Sequence, residues 1–139
     1  MNSEISKGLY VWGEFDQESA YLVESLKKKV NKKLLGPNFK AHLTLSGPIN
    51  YNENDDRKTF QNLCNKFFKL KIKLSGIGYR ESYFQSLFLV VENSHDLNFL
   101  KKAIDEKTGV ASKEYFPHVS LFYGNANEDL KKNLCRELA

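Results

Sequence analysis

Tyr115-Phe116-Pro117-His118-Val119-Ser120-Leu121-Phe122-Tyr123-Gly124 repeats the grammar of an earlier stretch, Phe39-Lys40-Ala41-His42-Leu43-Thr44-Leu45-Ser46-Gly47. Each copy has an aromatic three positions before a His, a hydroxyl side chain two positions after it, then a Leu and a closing glycine. Side chains of a strand alternate between its faces, so His42 and Thr44 share one face while Leu43 and Leu45 share the other. His118 and Ser120 are set apart from Val119 and Leu121 in the same way. Each strand therefore offers one imidazole and one hydroxyl to a common side and anchors its opposite side in a core. Brought together, the two strands make a cradle of phosphate size.

Working outward, Leu9 to Phe15 is β-branched and aromatic and predicts a first strand with Tyr10, Trp12 and Glu14 on one face. Asp16 is placed to cap a helix in which Leu22, Leu26, Val30 and Leu34 form the buried stripe and which Gly36-Pro37 stops. Lys27, Lys28, Lys29, Lys32 and Lys33 then read as its solvated face. Asn50 to Asp56 is polar loop, and a second helix from about Asp55 to Phe68 buries Phe60, Leu63, Cys64 and Phe67. Lys69 to Leu74 alternates strictly, the pattern of a strand with one wet face, which Gly76-Ile77-Gly78-Tyr79 ends or bulges. Arg80 to Ser86 reads as a loop or hairpin turn, and the apolar run Leu87 to Val91 as a central strand. Ser94 or Asn93 caps a third helix with Leu97, Leu100 and Ile104 inward, ending near Gly109. After the second His strand, Asn127-Glu128-Asp129 opens a helix that lines up Leu130, Leu134 and Leu138.

The element order is β-α-β-α-β followed by β-α-β-α, with a His strand at the same place in each half. That pattern predicts an internal duplication in an α+β fold: mostly antiparallel sheets, helices outside, and a central cleft where two pseudo-symmetric lobes of a single domain, residues 1–139, meet. With 139 residues and 41% apolar content, one core can bury roughly two thirds of the unfolded chain's surface. The net charge of +4 favours an anionic ligand. Cys64 and Cys135 occupy apolar helical positions and read as small buried hydrophobes suited to a reducing compartment. Met1 to Lys7 has no apolar signal region, and no run approaches the ~20 apolar residues of a membrane span, so a cytoplasmic protein is expected.

Cleaving a phosphodiester takes a base for the attacking oxygen and an acid for the departing one. Imidazole serves both roles because its pKa of about 6.5 lets both forms exist near neutrality. The hydroxyls of Thr44 and Ser120 can donate to the non-bridging oxygens, whose charge grows in the transition state. No metal or other cofactor is expected, since two histidines without a third ligand make a poor metal site. His95, the third histidine, falls in the opening turn of a helix and reads as structural.

These motifs resemble the 2H phosphoesterases, defined by two H-x-[ST] motifs on a duplicated fold. The likeness is strongest to the small cyclic phosphodiesterases, in Trp12 on the first strand, in Ala41-His42-Leu43-Thr44-Leu45 and in Phe116-Pro117-His118-Val119-Ser120-Leu121-Phe122-Tyr123-Gly124. The resemblance implies metal-independent opening of a 2′,3′-cyclic phosphate on a nucleoside or RNA end, or of the cyclic phosphate of ADP-ribose. It makes His42 and His118 the acid and base, Thr44 and Ser120 the phosphate holders, and Trp12 and Tyr123 pocket residues. In perfect alternation Phe122, not Tyr123, shares the face of His118 and Ser120, so Tyr123 needs a twist or bulge to turn inward. Tyr83 and Phe84 are candidates to stack on a base. The expected partner is the cyclic phosphate substrate alone, met by a monomer away from any membrane. The alternatives are a 2′-5′ RNA ligase-like or 2′-5′ oligonucleotide phosphodiesterase, and an RNA-end binding module that uses the lysine runs 27–33 and 69–73 without turnover.

Overall fold

A computed structural model describes residues 9–49, 53–66, 70–110 and 115–138. Among them β1 (Leu9–Gly13), α1 (Gln17–Asn31), β2 (Leu43–Ile49), α2 (Glu53–Lys66), β3 (Leu74–Tyr79), β4 (Leu87–Val91), α3 (His95–Thr108), β5 (His118–Phe122) and α4 (Glu128–Leu138) follow in the predicted order. The fold is α+β. β1 pairs with β2, and β4 lies between β3 and β5, every pairing antiparallel. β2 and β5 approach each other where the two sheets meet.

The helices start where local chemistry dictates. The Ser19 amide donates to Asp16 Oδ1 at 2.7 Å, and the Leu97 amide donates to Ser94 Oγ at 3.1 Å, so each cap satisfies an amide that the first turn leaves without a partner. Packing is crossed: α1 lies on β5 and α3 on β2, so each half's first helix covers the histidine strand of the other half. Leu43 and Leu45 of β2, Val119 and Leu121 of β5, and Leu87, Leu89 and Val91 of β4 are buried against Val23, Val30, Leu97, Leu100 and Ile104. Fully burying each such side chain contributes about 1.5–3 kcal/mol.

Several expectations need correction. The strand expected at Lys69 to Leu74 is not where β4 finds its partner: β3 begins at Leu74 and runs through the glycines, while residues 70–73 lie outside any strand and Lys69 lies outside the described residues. The reason is Phe88, which sits opposite Gly78. A Cβ at Gly78 would come 2.8 Å from the Phe88 ring, so the glycine leaves the room in which that aromatic lies. α2 starts two residues earlier than predicted, at Glu53. Cys64 is exposed rather than buried, and Cys135 is half-buried.

The helix stripes also shift. On α1 the buried residues are Val23, Lys27 and Val30, and Leu22 is exposed; on α4 they are Lys131 and Leu134, and Leu130 is exposed. Lys27, expected on the solvated face of α1, is thus interior, and so is Lys131 on α4. A lysine's four-carbon stem packs as an apolar chain when its ammonium reaches an acceptor. Lys27 Nζ donates to the Phe39 carbonyl, and Lys131 Nζ donates to the Arg80 carbonyl at 2.9 Å.

Candidate active site

His42 immediately precedes β2 and His118 opens β5, and both are oriented by the same local bond. His42 Nδ1 lies 2.6 Å from the Lys40 carbonyl, and His118 Nδ1 lies 2.9 Å from the Phe116 carbonyl. A carbonyl only accepts, so in each ring Nδ1 carries the hydrogen and Nε2 is left to act. The Tyr123 hydroxyl stands 3.3 Å from His42 Nε2, and Ser120 is near enough to it to hold its pKa down against burial. That one hydroxyl brings the two sequence motifs to a single place.

Tyr123 reaches it through a bulge. Phe88 lies opposite Ser120, yet the next pair along is Leu87 with Phe122, so β5 advances two residues while β4 advances one. Phe122 is thereby moved off the face of His118 and Ser120 and into the core, at 2% exposure. Tyr123 follows it and turns inward. Gly124, at φ 145°, ends the strand and donates its amide to the Tyr83 carbonyl at 2.9 Å, tying this corner to the 80–86 loop. β2 carries the same irregularity at the same place: Trp12 lies opposite Thr44, and the next pair is Val11 with Ser46.

The surroundings of the two imidazoles differ. Trp12 shares a face with Thr44 and stacks on His42, centroids 3.6 Å apart and planes 11° apart. Nearly half of its surface, 46%, remains open to solvent. His118 instead meets Phe88 edge-on at 5.4 Å and Phe116 face-on at 5.3 Å. Burial pushes both imidazoles below their ordinary pKa. The charges of Lys27 and His118 push His42 further down while the Lys40 carbonyl and Glu14 oppose them, and Arg80 pushes His118 down against the Phe116 carbonyl.

Of the hydroxyls, Thr44 Oγ1 has no protein partner among the described residues, and Ser120 Oγ makes a long 3.4 Å bond to the Phe84 carbonyl. The Thr44 carbonyl accepts from Tyr115 Oη at 2.7 Å, which links the second half to the strand of the first. Phe84 meets Tyr123 edge-on at 5.3 Å, and the Tyr123 ring also stacks on Phe39 at 4.0 Å. Tyr83 is buried and packs against Phe84, so of the two loop aromatics only Phe84 lines this space. His95 is exposed at the start of α3, beside Asp96. Among the described residues no three His, Cys, Asp or Glu side chains converge as a metal site, and no helix is long and apolar enough to cross a membrane.

Two contributors escaped the sequence reading. Arg80 lies with its guanidinium carbon 4.0 Å from the Phe116 centroid, beside His118, and Lys27 lies behind Phe39 at 4.0 Å from that centroid. Neither stands in a motif. The only signal for Arg80 was its place at the end of a strand, next to the loop that carries Phe84.

The family model described as cyclic phosphodiesterase-like protein matches residues 14–137, a span that includes both histidine strands. The chain is also 24% identical over 132 residues to the cyclic phosphodiesterase of Arabidopsis thaliana, covering 94% of this chain and 73% of that relative. The chain therefore belongs to the cyclic phosphodiesterase-like family, and it is an enzyme that hydrolyses cyclic phosphodiesters.

Proposed function

We propose that the enzyme opens a 2′,3′-cyclic phosphate, on a nucleoside or an RNA end, or the 1′′,2′′-cyclic phosphate of ADP-ribose, by acid-base catalysis between His42 and His118 without a metal. The observation that carries this reading is the paired arrangement of the imidazoles. Each holds its Nδ1–H on the carbonyl two residues before it, and the Tyr123 hydroxyl, from the residue after β5, reaches to 3.3 Å from His42 Nε2.

His118 is the base and His42 the acid. Burial and Arg80 both favour the neutral form of His118, which is the form able to accept a proton. Burial, Lys27 and His118 lower His42 as well, and what favours the proton it must carry as the acid is the Lys40 carbonyl and, more weakly, Glu14. Water attacks phosphorus as His118 Nε2 takes its proton, and His42 Nε2–H protonates the departing ribose oxygen, leaving a phosphomonoester. Thr44 and Ser120 donate to the non-bridging oxygens as their charge grows. Trp12 and Phe84 offer aromatic faces to the base or adenosine moiety, with Tyr83 supporting Phe84 from behind.

The test is turnover in EDTA of 2′,3′-cyclic nucleotides, ADP-ribose cyclic phosphate and a 2′-5′-linked dinucleotide, with products separated by chromatography. Cyclic phosphates should be opened, and His42→Ala and His118→Ala should each lower kcat by ~10²–10⁴-fold. Full activity in either variant would end the two-histidine mechanism. Cleavage of the dinucleotide alone would replace the substrate, and dependence on added metal would remove the metal-free chemistry.

A further inference from the structure

Next to the segment that leads into His42, α1 presents an ion pair that the reaction itself does not use. Lys27 is only 4% exposed, and its Nζ lies 3.2 Å from Glu24 Oε1, one turn earlier on the helix. The two partners grip the three residues that lead into His42. Lys27 Nζ donates to the Phe39 carbonyl, and the Ala41 amide donates to Glu24 Oε1 at 2.9 Å. Between those two anchor points lies Lys40, whose carbonyl accepts from His42 Nδ1. The Lys27 ammonium also sits over the Phe39 ring, and Phe39 stacks on Tyr123, whose hydroxyl faces His42 Nε2. The partners of both ring nitrogens therefore trace back to one helix ion pair.

We propose that the Glu24–Lys27 pair of α1 is a positioning device for His42: it clamps the backbone of residues 39–41 so that the imidazole presents Nε2 to the cleft. The proposal rests on the two-histidine reading and adds to it the residues that hold one of the two groups in place.

The second half explains why the first needs a clamp. The residue before His118 is Pro117, whose ring restricts φ and which has no amide for a carboxylate to hold. The residue before His42 is Ala41, which has both freedoms. α3 does carry a related pair, with Lys101 Nζ 2.8 Å from Asp105 Oδ2 and 5.3 Å from the Tyr115 centroid. Tyr115 stands where Phe39 stands in the first copy. Asp105, however, accepts from Ser46 Oγ, so it braces β2 downstream of His42. β2 is thus held on both sides of its histidine, by α1 before it and α3 after it.

The charges that act on His42 come from three elements: Lys27 on α1, His118 on β5, and Glu14 just after β1, itself paired with Lys40 at 2.8 Å. Lys27 opposes protonation of His42 and Glu14 favours it. A clamp built from an ion pair has a signature that packing alone lacks, because removing Lys27 takes away a charge that opposes protonation of His42, and removing either partner frees the backbone before it.

The experiment is an NMR titration of the imidazoles, which are only three in the chain, with steady-state kinetics on a cyclic phosphate that the wild type opens. Lys27→Met should raise the His42 midpoint, leave His95 and His118 in place, and lower kcat by roughly 10–10²-fold with little change in KM, as expected for a displaced catalytic group. Lys27→Arg should restore most of the loss. Glu24→Ala, at a side chain 42% exposed, tests the same clamp should Lys27→Met fail to fold; by releasing the Ala41 amide it should lower kcat. Lys28→Met, on the exposed side of α1, should match the wild type. An unchanged His42 midpoint and kcat in folded Lys27→Met, or an unchanged kcat in Glu24→Ala if that is the variant that folds, overturns the proposal. A fully active His42→Ala would overturn the two-histidine reading instead, and the titration shifts would still report on the clamp.

Discussion

The two histidine strands share a backbone device and differ in nearly everything around it. In both, the imidazole is turned by a bond from Nδ1 to the carbonyl two residues earlier, and in both the ladder slips by one residue after the hydroxyl. The residue opposite that hydroxyl is Trp12 in the first half and Phe88 in the second. Trp12 is half-exposed and lies flat on its histidine, whereas Phe88 is buried over Gly78 and meets its histidine edge-on. The nearby cation is a buried lysine beside His42 and an exposed arginine beside His118. Repetition supplies two imidazoles in matching orientation, and their neighbours differ: Lys27, His118 and Glu14 act on His42, and Arg80 acts on His118.

The largest effect that probes this difference is on stability. Phe88→Ala should lower the unfolding free energy by about 3–5 kcal/mol, as for other buried aromatics, while Trp12→Ala should lower it by roughly 1 kcal/mol or less. Trp12→Ala should act instead on KM for a nucleoside substrate. Urea melts and steady-state kinetics on both variants test the contrast, and a Trp12→Ala protein as unstable as Phe88→Ala would make Trp12 a core residue.

Next come the paired hydroxyls. Ser120→Ala and Thr44→Val should each slow turnover by ~10²-fold, the scale of losing one donor to a developing oxyanion. A large loss at one and none at the other would show that the phosphate leans on a single strand.

The smallest expected effect separates the two cations. Burial and Arg80 both hold His118 below its ordinary pKa, so Arg80→Gln removes one depressing influence and raises it. With His118 as base, the acid limb of the kcat/KM profile should move to higher pH, and activity at low pH should fall. A shift of the alkaline limb alone would exchange the roles of His42 and His118.

Much of this was legible in the residues, for a physical reason in each case. Alternation in a strand is local geometry, so Leu43 and Leu45, and Val119 and Leu121, could be assigned to the core before the fold was seen. Capping is local as well: Asp16 and Ser94 begin their helices and Gly109 ends one as their chemistry predicts. The strand at Lys69 to Leu74 misled because strict alternation describes a chain able to be half-buried, not one that has a partner. β4 chose Leu74–Tyr79, where Gly78 leaves room for Phe88.

By itself, then, the sequence determined the order of elements, the doubled His and hydroxyl pairs, and the face each occupies, because those follow from neighbours along the chain. Tertiary structure alone decided that Tyr123 turns inward, that α1 and α3 each cover the other half's strand, and that Lys27 and Lys131 are interior. A bulge depends on the strand across from it, and a lysine can be buried only where folding brings a carbonyl to its ammonium, 12 residues away for Lys27 and 51 for Lys131.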